Sequence, residues 1–153
     1  MNAIKPSAQE ETILAAIAHA AVIISGVGAV AGLVIYLTQK EKSWYAAGQA
    51  LQAAVYQLAA MLVTLVLWGC WSMFYALTFI PLIVDPMQYQ DAPPPIFWVG
   101  MGSMVLPFIG MGVLGLYGLY GAWRAWQGKD FRYIIIGKPV MNKIEEWSAF
   151  GEL

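Results

Sequence analysis

Three long stretches without fixed charge divide this sequence, and short polar segments separate them. They cover residues 12–39, 43–84 and 92–123, with lengths of 28, 42 and 32 residues. A membrane-spanning helix needs about 20 predominantly apolar residues. The pattern therefore predicts one all-helical membrane domain with three transmembrane helices, over approximately 12–37, 57–80 and 96–123, and a tail over 124–153.

The middle stretch is too long for a simple span, and its first turns carry polar side chains. No Gly or Pro occurs between residues 48 and 69, so we interpret the stretch as one long helix. Four of its residues recur at spacings of four, three and four and share one helix face: Tyr45, Gln49, Gln52 and Tyr56. This amphipathic lead-in is predicted to lie at the membrane interface or to line a polar contact.

Glycines mark two further helix faces. The G-x-x-x-G pair Gly28 and Gly32 predicts close helix approach, either in a dimer or, as we favour, against this chain's own helices. In the third stretch four glycines recur every three residues and predict a spiralling groove: Gly112, Gly115, Gly118 and Gly121. The groove could hold a partner helix, a lipid tail or a flat cofactor, although we favour packing within the chain. Pro107 should kink this helix.

The tail combines a β-branched run with an amphipathic pattern. Residues 131–136 could be extended, and Pro139 can begin a helix. Val140, Ile144 and Trp147 then form one apolar face. This amphipathic C-terminal helix is expected to lie on the membrane surface or to cap a partner.

Composition points to the same class of protein. The chain is 60% hydrophobic and 11% charged, against roughly 25% charged residues in an ordinary soluble domain. Its neighbours should therefore be the lipid bilayer and other membrane protein subunits. The scattered Lys and Arg residues form no basic stripe, which argues against nucleic-acid binding. Cys70 is the single cysteine, so no internal disulfide can form.

The distribution of cations predicts an orientation. With three spans, seven of the eight Lys and Arg residues lie in the first loop and the tail. The positive-inside rule then places the C-terminus in the cytoplasm of a bacterial cell, with the N-terminus and the 85–95 loop outside the cytoplasmic membrane. If the first segment lay along the interface instead, the N-terminus would be inside.

Candidate chemistry centres on His19. No set of nucleophile, base and orienting acid can be assembled from the sequence, so we expect a non-enzymatic protein. His19 is the one ionisable group at membrane depth, and with Ala15 four residues earlier it resembles a chlorophyll-binding pattern. It could ligate a chlorin or haem, but we favour no cofactor and an interhelical hydrogen bond to Gln49, Gln52 or Tyr56.

An aromatic stripe follows in the second predicted span. Trp68, Trp71 and Tyr75 lie at i, i+3 and i+7, deeper than an interfacial belt. They could contact pigment or quinone rings. We favour contact with a partner subunit.

Three blocks of residues carry a family resemblance. They are Glu10-Glu11-x-x-x-Ala15-x-x-Ala18-His19, Ala46-Ala47-Gly48-Gln49-Ala50-Leu51-Gln52 and Ala122-x-x-Ala125-x-x-Gly128-Lys129-x-Phe131-Arg132-Tyr133. Together they resemble the small helical membrane family of the Tic-type chloroplast inner-envelope import component and its uncharacterised bacterial relatives. The resemblance implies a helical, non-enzymatic membrane protein and adds protein translocation to the possible roles.

The sequence as a whole favours an accessory or structural subunit of a larger membrane protein complex. It would act through helix–helix and interfacial contacts. One alternative is a pigment- or haem-bearing subunit of a photosynthetic or respiratory complex that uses His19. The other is a translocation component of the Tic-type family.

Overall fold

The computed structural model describes residues 7–24 and 26–149, except for the side chains of residues 145 and 147–149. Within these ranges every regular element is helical and no strand occurs. The helices are α1 (Gln9–Ala20), α2 (Val27–Gln39), α3 (Trp44–Leu77), α4 (Ile80–Val84), α5 (Pro95–Gly102), α6 (Val105–Trp126) and α7 (Gly137–Ala149). The predicted all-helical class is confirmed.

The first uncharged stretch is interrupted, contrary to the continuous helix that its length predicts. α1 ends at Ala20, a 3-10 turn follows over Ala21–Ile23, and α2 begins at Val27. Gly26 has a φ of 83°, a left-handed conformation that glycine adopts without a steric penalty. At 1.5 Å per residue each helix is about 20 Å long. Each is therefore shorter than the roughly 30 Å hydrocarbon core of a bilayer.

Contacts with α3 fix the direction of α1. Ala15 packs against Tyr45, and His19, one turn further along α1, reaches Gln49, one turn further along α3. The two helices therefore run in parallel, and the start of α1 lies near the start of α3.

α2 returns along α3 in the opposite direction. Gly28 lies against the side chain of Gln57, whereas a methyl group added at Gly32 would come within 3.0 Å of the carbonyl oxygen of Ala50. The segment is thus an antiparallel helical hairpin, and the Gly28–Gly32 face packs within the chain. Three membrane-spanning helices are not confirmed, because the hairpin folds back.

Two segments are long and apolar enough to cross a membrane. They are Trp44–Val84, which includes α3 and α4, and Pro95–Trp126, which includes α5 and α6. Within the most apolar 18 residues of each segment, 33% are buried inside the protein in the first and 11% in the second. Many of the other apolar side chains, such as Leu62 and Leu106, are exposed, as expected for helices in contact with lipid.

The helix of the third stretch is interrupted before Pro107 and not at it. α5 ends at Gly102 and α6 begins at Val105, so Pro107 is the third residue of α6. The N–H that proline lacks would have no partner within the helix at this position. The proline is therefore accommodated in the first turn.

The chain divides into two compact units. Unit 1 consists of Met1–Met61 and Leu114–Leu153, and unit 2 consists of Leu62–Val113. The hairpin, the first half of α3, the end of α6 and α7 all belong to unit 1. The rest of α3, the short α4, α5 and the start of α6 belong to unit 2.

The tail of unit 1 contains the predicted amphipathic helix, but its apolar face is covered by the chain itself. Met141 and Ile144 are buried, and a methyl group added at Gly48 would lie 3.0 Å from the terminal carbon of Met141. α7 therefore packs on α3, which corrects the expectation of a helix that lies on the membrane surface or caps a partner. Val140 is half-buried, and the side chain of Trp147 is outside the described residues.

Candidate functional site: a buried polar cluster around His19

His19 is fully buried in unit 1, and both of its ring nitrogens are hydrogen-bonded. Nδ1 lies 2.8 Å from the hydroxyl of Tyr133, and Nε2 lies 3.0 Å from Oε1 of Gln49. Burial lowers the pKa of His19 to about 4, because the charged ring would lose its hydration. The imidazole is therefore neutral near pH 7.

Gln49 determines which ring nitrogen carries the proton. Its Nε2 donates to the carbonyl oxygen of Phe131 at 3.0 Å and to Oδ1 of Asp130 at 3.2 Å. Both partners only accept, so the amide orientation is fixed and Oε1 faces His19. Oε1 also only accepts. Nε2 of His19 is thus the donor, and Nδ1 accepts from Tyr133.

Aromatic rings close the cluster from the other side. Tyr133 stacks on Tyr56 with ring centres 4.0 Å apart, and Phe131 meets His19 edge-on at 5.7 Å. Tyr56 donates to the carbonyl oxygen of Leu114 at 2.6 Å. Burial raises the pKa of Tyr133 above its ordinary value, so its hydroxyl stays protonated.

Tyr45, the first residue of the amphipathic lead-in on α3, joins two other segments. The hydroxyl of Tyr45 lies 3.0 Å from the carbonyl oxygen of Ala125 and 3.1 Å from that of Lys129. It donates to these acceptors at the end of α6 and just after it. Tyr45 thereby holds the chain where it leaves α6.

Gln52 and Gln57 are two further buried amides on α3. Gln57 donates from Nε2 to the carbonyl oxygen of Ala18 at 2.8 Å. The side-chain amide atoms of Gln52 have no hydrogen-bond partner among the described residues. All four residues of the amphipathic lead-in, Tyr45, Gln49, Gln52 and Tyr56, are buried, but they are hydrogen-bonded to different degrees.

Comparison with known families identifies the chain. The sequence model of the magnetosome magnetite crystal formation protein family, MamF/MmsF, matches residues 10–140. The chain belongs to this family. Its members are magnetosome membrane proteins involved in magnetite crystal formation. Searches of curated proteins and of solved structures returned no significant match.

Membership of the MamF/MmsF family corrects the resemblance to the Tic-type import component. The family match extends over residues 10–140, which include all three short blocks on which that resemblance depended. A relation to the import component is not supported. Brief patterns of Ala, Gly and aromatic residues occur in many membrane helices, because small residues allow close packing there.

The aromatic stripe of this MamF/MmsF-family chain, Trp68, Trp71 and Tyr75, lies in unit 2. The indole N–H of Trp71 donates to the carbonyl oxygen of Gly100 at 3.2 Å. The indole N–H of Trp68 donates to the sulfur of Met111 at 3.4 Å. Tyr75 stacks on Trp71 with ring centres 5.2 Å apart. The rings of all three residues thus contact their own unit.

The glycine row on α6 is filled at one end and open at the other. A methyl group added at Gly118 would meet Val22 at 2.8 Å, and one added at Gly121 would meet Phe131 at 2.8 Å. Around Gly112 and Gly115 the space for a methyl group is open. The predicted groove is therefore not continuous along the helix.

The arrangement leaves His19 little freedom to ligate a cofactor. An axial ligand of a chlorin or haem needs a free ring nitrogen and space beside it, whereas both nitrogens of His19 are engaged at 0% exposure. Among the described residues no group of three or more His, Cys, Asp or Glu side chains could hold a metal ion. The cluster instead joins α1, α3 and the 130–133 segment.

Sequence reasoning missed three members of the His19 cluster and the neighbouring amide Gln57. The chain turns back after α6, and only this turn brings Asp130, Phe131 and Tyr133 to His19 or Gln49. Gln57 lies one residue beyond Tyr56, the last residue of the amphipathic lead-in, and bonds Ala18. One signal was present. Two aromatic residues of the Phe131-Arg132-Tyr133 block follow directly after the charged pair Lys129 and Asp130.

Proposed function

We propose that this chain supports magnetite crystal formation as a non-enzymatic structural subunit of a protein assembly in the magnetosome membrane. The observation that carries the proposal is the family match over residues 10–140, which covers both spanning candidates and the whole His19 cluster. The chain would act by organising helices and membrane surface around the growing crystal.

The His19 cluster supports a structural role over a catalytic one. Its hydrogen-bonding groups point at one another, and His19, Gln49 and Tyr133 have at most 2% exposure. A general base needs to reach a substrate proton, directly or through one water. A closed network of this kind serves to fix the positions of the helices that contribute to it.

The apolar surface of the long helices supports membrane contacts with lipid and with other subunits. Large apolar side chains are exposed along both candidates, including Leu65, Val66, Val113 and Leu116. Lipid satisfies such a surface, and a second membrane protein can replace lipid there through close packing. In mild detergent the chain should therefore co-purify with other magnetosome membrane proteins. A lone monomer would contradict the assembly part of the proposal.

The hairpin suggests a simple orientation in that membrane. If only the two long candidates cross, both termini lie on the same side, and all eight Lys and Arg residues lie there too. The 85–95 loop, which has Asp85 and Asp91 but no cation, lies on the other side. By the positive-inside rule the termini face the cytoplasm and the loop faces the magnetosome lumen.

Cysteine labelling tests this orientation. Exposed positions before, between and after the long helices are changed one at a time, as Glu10→Cys, Gln88→Cys and Lys138→Cys, in a Cys70→Ser background. On intact magnetosomes a membrane-impermeant maleimide should label the first and third variants, and the second only after detergent is added. Protection of the Glu10→Cys variant would mean that the first segment crosses the membrane.

A further inference from the structure

The turn at residues 134–136 presents the two most exposed large apolar side chains of the described chain. Ile134 is 83% exposed and Ile135 is 85% exposed. Removing an isoleucine side chain from water is favourable, because its whole surface is apolar. The pair therefore favours an apolar environment outside the protein.

The turn is held firmly in place from both ends. Phe131 and Tyr133, just before it, are buried in the His19 cluster. The N–H of Ile134 donates to the hydroxyl of Tyr117 at 3.2 Å, and the N–H of Gly137 donates to the carbonyl oxygen of Tyr133 at 2.8 Å. The two isoleucines are thus presented by an ordered backbone.

A contact with α6 places the turn beside a candidate membrane span. Tyr117, which bonds Ile134, lies nine residues before the end of α6 at Trp126, or about 13 Å along the helix. The chain therefore leaves α6 and folds back beside it. The last turns of α6 expose Trp123 and Trp126, the residue type that favours the headgroup boundary of a bilayer.

Cations lie close to the turn. Lys129 and Lys138 are exposed on either side of it. The nearest acid in sequence, Asp130, is paired with Arg132 at 3.0 Å. Lysine side chains extend toward lipid phosphates when apolar neighbours enter a membrane interface.

We propose that Ile134 and Ile135 insert into the lipid bilayer beside α6, and that Lys129 and Lys138 extend from the two ends of the turn to the phosphates. The occupant of this surface is lipid and not a protein subunit, because the turn lies alongside an apolar helix that ends in exposed tryptophans and is flanked by cations. The inference depends on the membrane location of the chain and not on its role in crystal formation.

Depth-dependent quenching of a fluorescent label tests the insertion. The full chain with Ile135→Cys in a Cys70→Ser background is labelled with a polarity-sensitive dye. It is then reconstituted in vesicles of phosphatidylcholine and phosphatidylglycerol. Ile134→Cys provides a second, independent site. Asn142→Cys, at an exposed polar position of α7, is the matched control, and Val66→Cys on α3 marks the acyl region.

Labels at 134 and 135 should emit at shorter wavelength than the label at 142. Spin-labelled lipids with a shallow acyl label should quench them more strongly than aqueous iodide does, and the label at 142 should show the reverse. Equal access of iodide to positions 135 and 142 would overturn the proposal. Protection from both quenchers would also overturn it, in favour of a contact with a second copy of the chain.

Discussion

A single glutamine sets the hydrogen bonding of the His19 cluster. Gln49 accepts from the imidazole and donates to Asp130 and Phe131, so one side chain connects α1, α3 and the segment after α6. A donor or acceptor left unpaired in a buried site costs about 1–3 kcal/mol. The cluster should therefore be sensitive to the loss of any one partner.

Gln49→Leu keeps the approximate volume of the side chain but removes all three bonds. It leaves Nε2 of His19 and the carbonyl oxygen of Phe131 unpaired, so the free energy of unfolding should fall by about 2–4 kcal/mol. Thermal unfolding of the purified parent chain and of the Gln49→Leu variant in mild detergent measures the difference in stability. Gln127→Leu, at an exposed position, is the control. If the two variants lose the same stability, the cluster does not hold unit 1 together.

The buried imidazole should also make stability depend on pH. Burial lowers the pKa of His19 from 6.5 to about 4, so the folded state favours the neutral ring. This contribution is fully present above pH 6.5 and is lost as the pH falls toward 4, by on the order of 3 kcal/mol. Chemical unfolding between pH 7 and 4 measures this. The free energy of unfolding should fall less with decreasing pH in His19→Gln than in the parent chain. Parallel curves would contradict this.

Part of this cluster follows from the sequence and part does not. The spacing of the amphipathic lead-in places Gln49 on a polar face of α3. Gln49 is also one of the three hydrogen-bond partners that the sequence predicts for His19. Tyr133 is separated from His19 by 114 residues, and no local periodicity encodes their contact. That contact depends on the path that the chain takes after α6.

At the scale of elements, two glycines in the row on α6 allow a controlled comparison, because one is packed and the other is open. Gly121 lies against the ring of Phe131, whereas the space around Gly112 is open. Overpacking a filled site usually costs 1–3 kcal/mol. Gly121→Ala should therefore lower the midpoint of thermal unfolding, and Gly112→Ala should leave it unchanged or raise it. Equal losses would mean that the row is packed evenly.

The hairpin of α1 and α2 shows that the length of an apolar stretch does not determine how many helices it forms. A run of 28 residues without fixed charge is long enough for one spanning helix, but in this chain it forms two short antiparallel helices. The break between the two helices is local. Val22, Ile23 and Ile24 are β-branched and precede Gly26, which adopts the left-handed conformation. For the long run that begins before α3, the absence of Gly and Pro correctly indicated one continuous helix over Trp44–Leu77.

At the scale of the whole molecule, composition was sufficient for the class and insufficient for the family. The high apolar content indicates a helical membrane protein, and two helices are long enough to cross a bilayer. Nine of the 19 named residues in the short blocks that suggested an import component are Ala or Gly, which membrane helices share for packing reasons. Recognition of the MamF/MmsF family needed the pattern over residues 10–140 as a whole.

The central claim is that this chain supports magnetite crystal formation from the magnetosome membrane. The most direct measurement is the size and shape distribution of magnetite crystals, by electron microscopy, in cells that lack the chain and in the same cells with the chain restored. Cells without it should form smaller or misshapen crystals, and restoring it should return the parental distribution. Crystals of unchanged size and shape in its absence would contradict the claim.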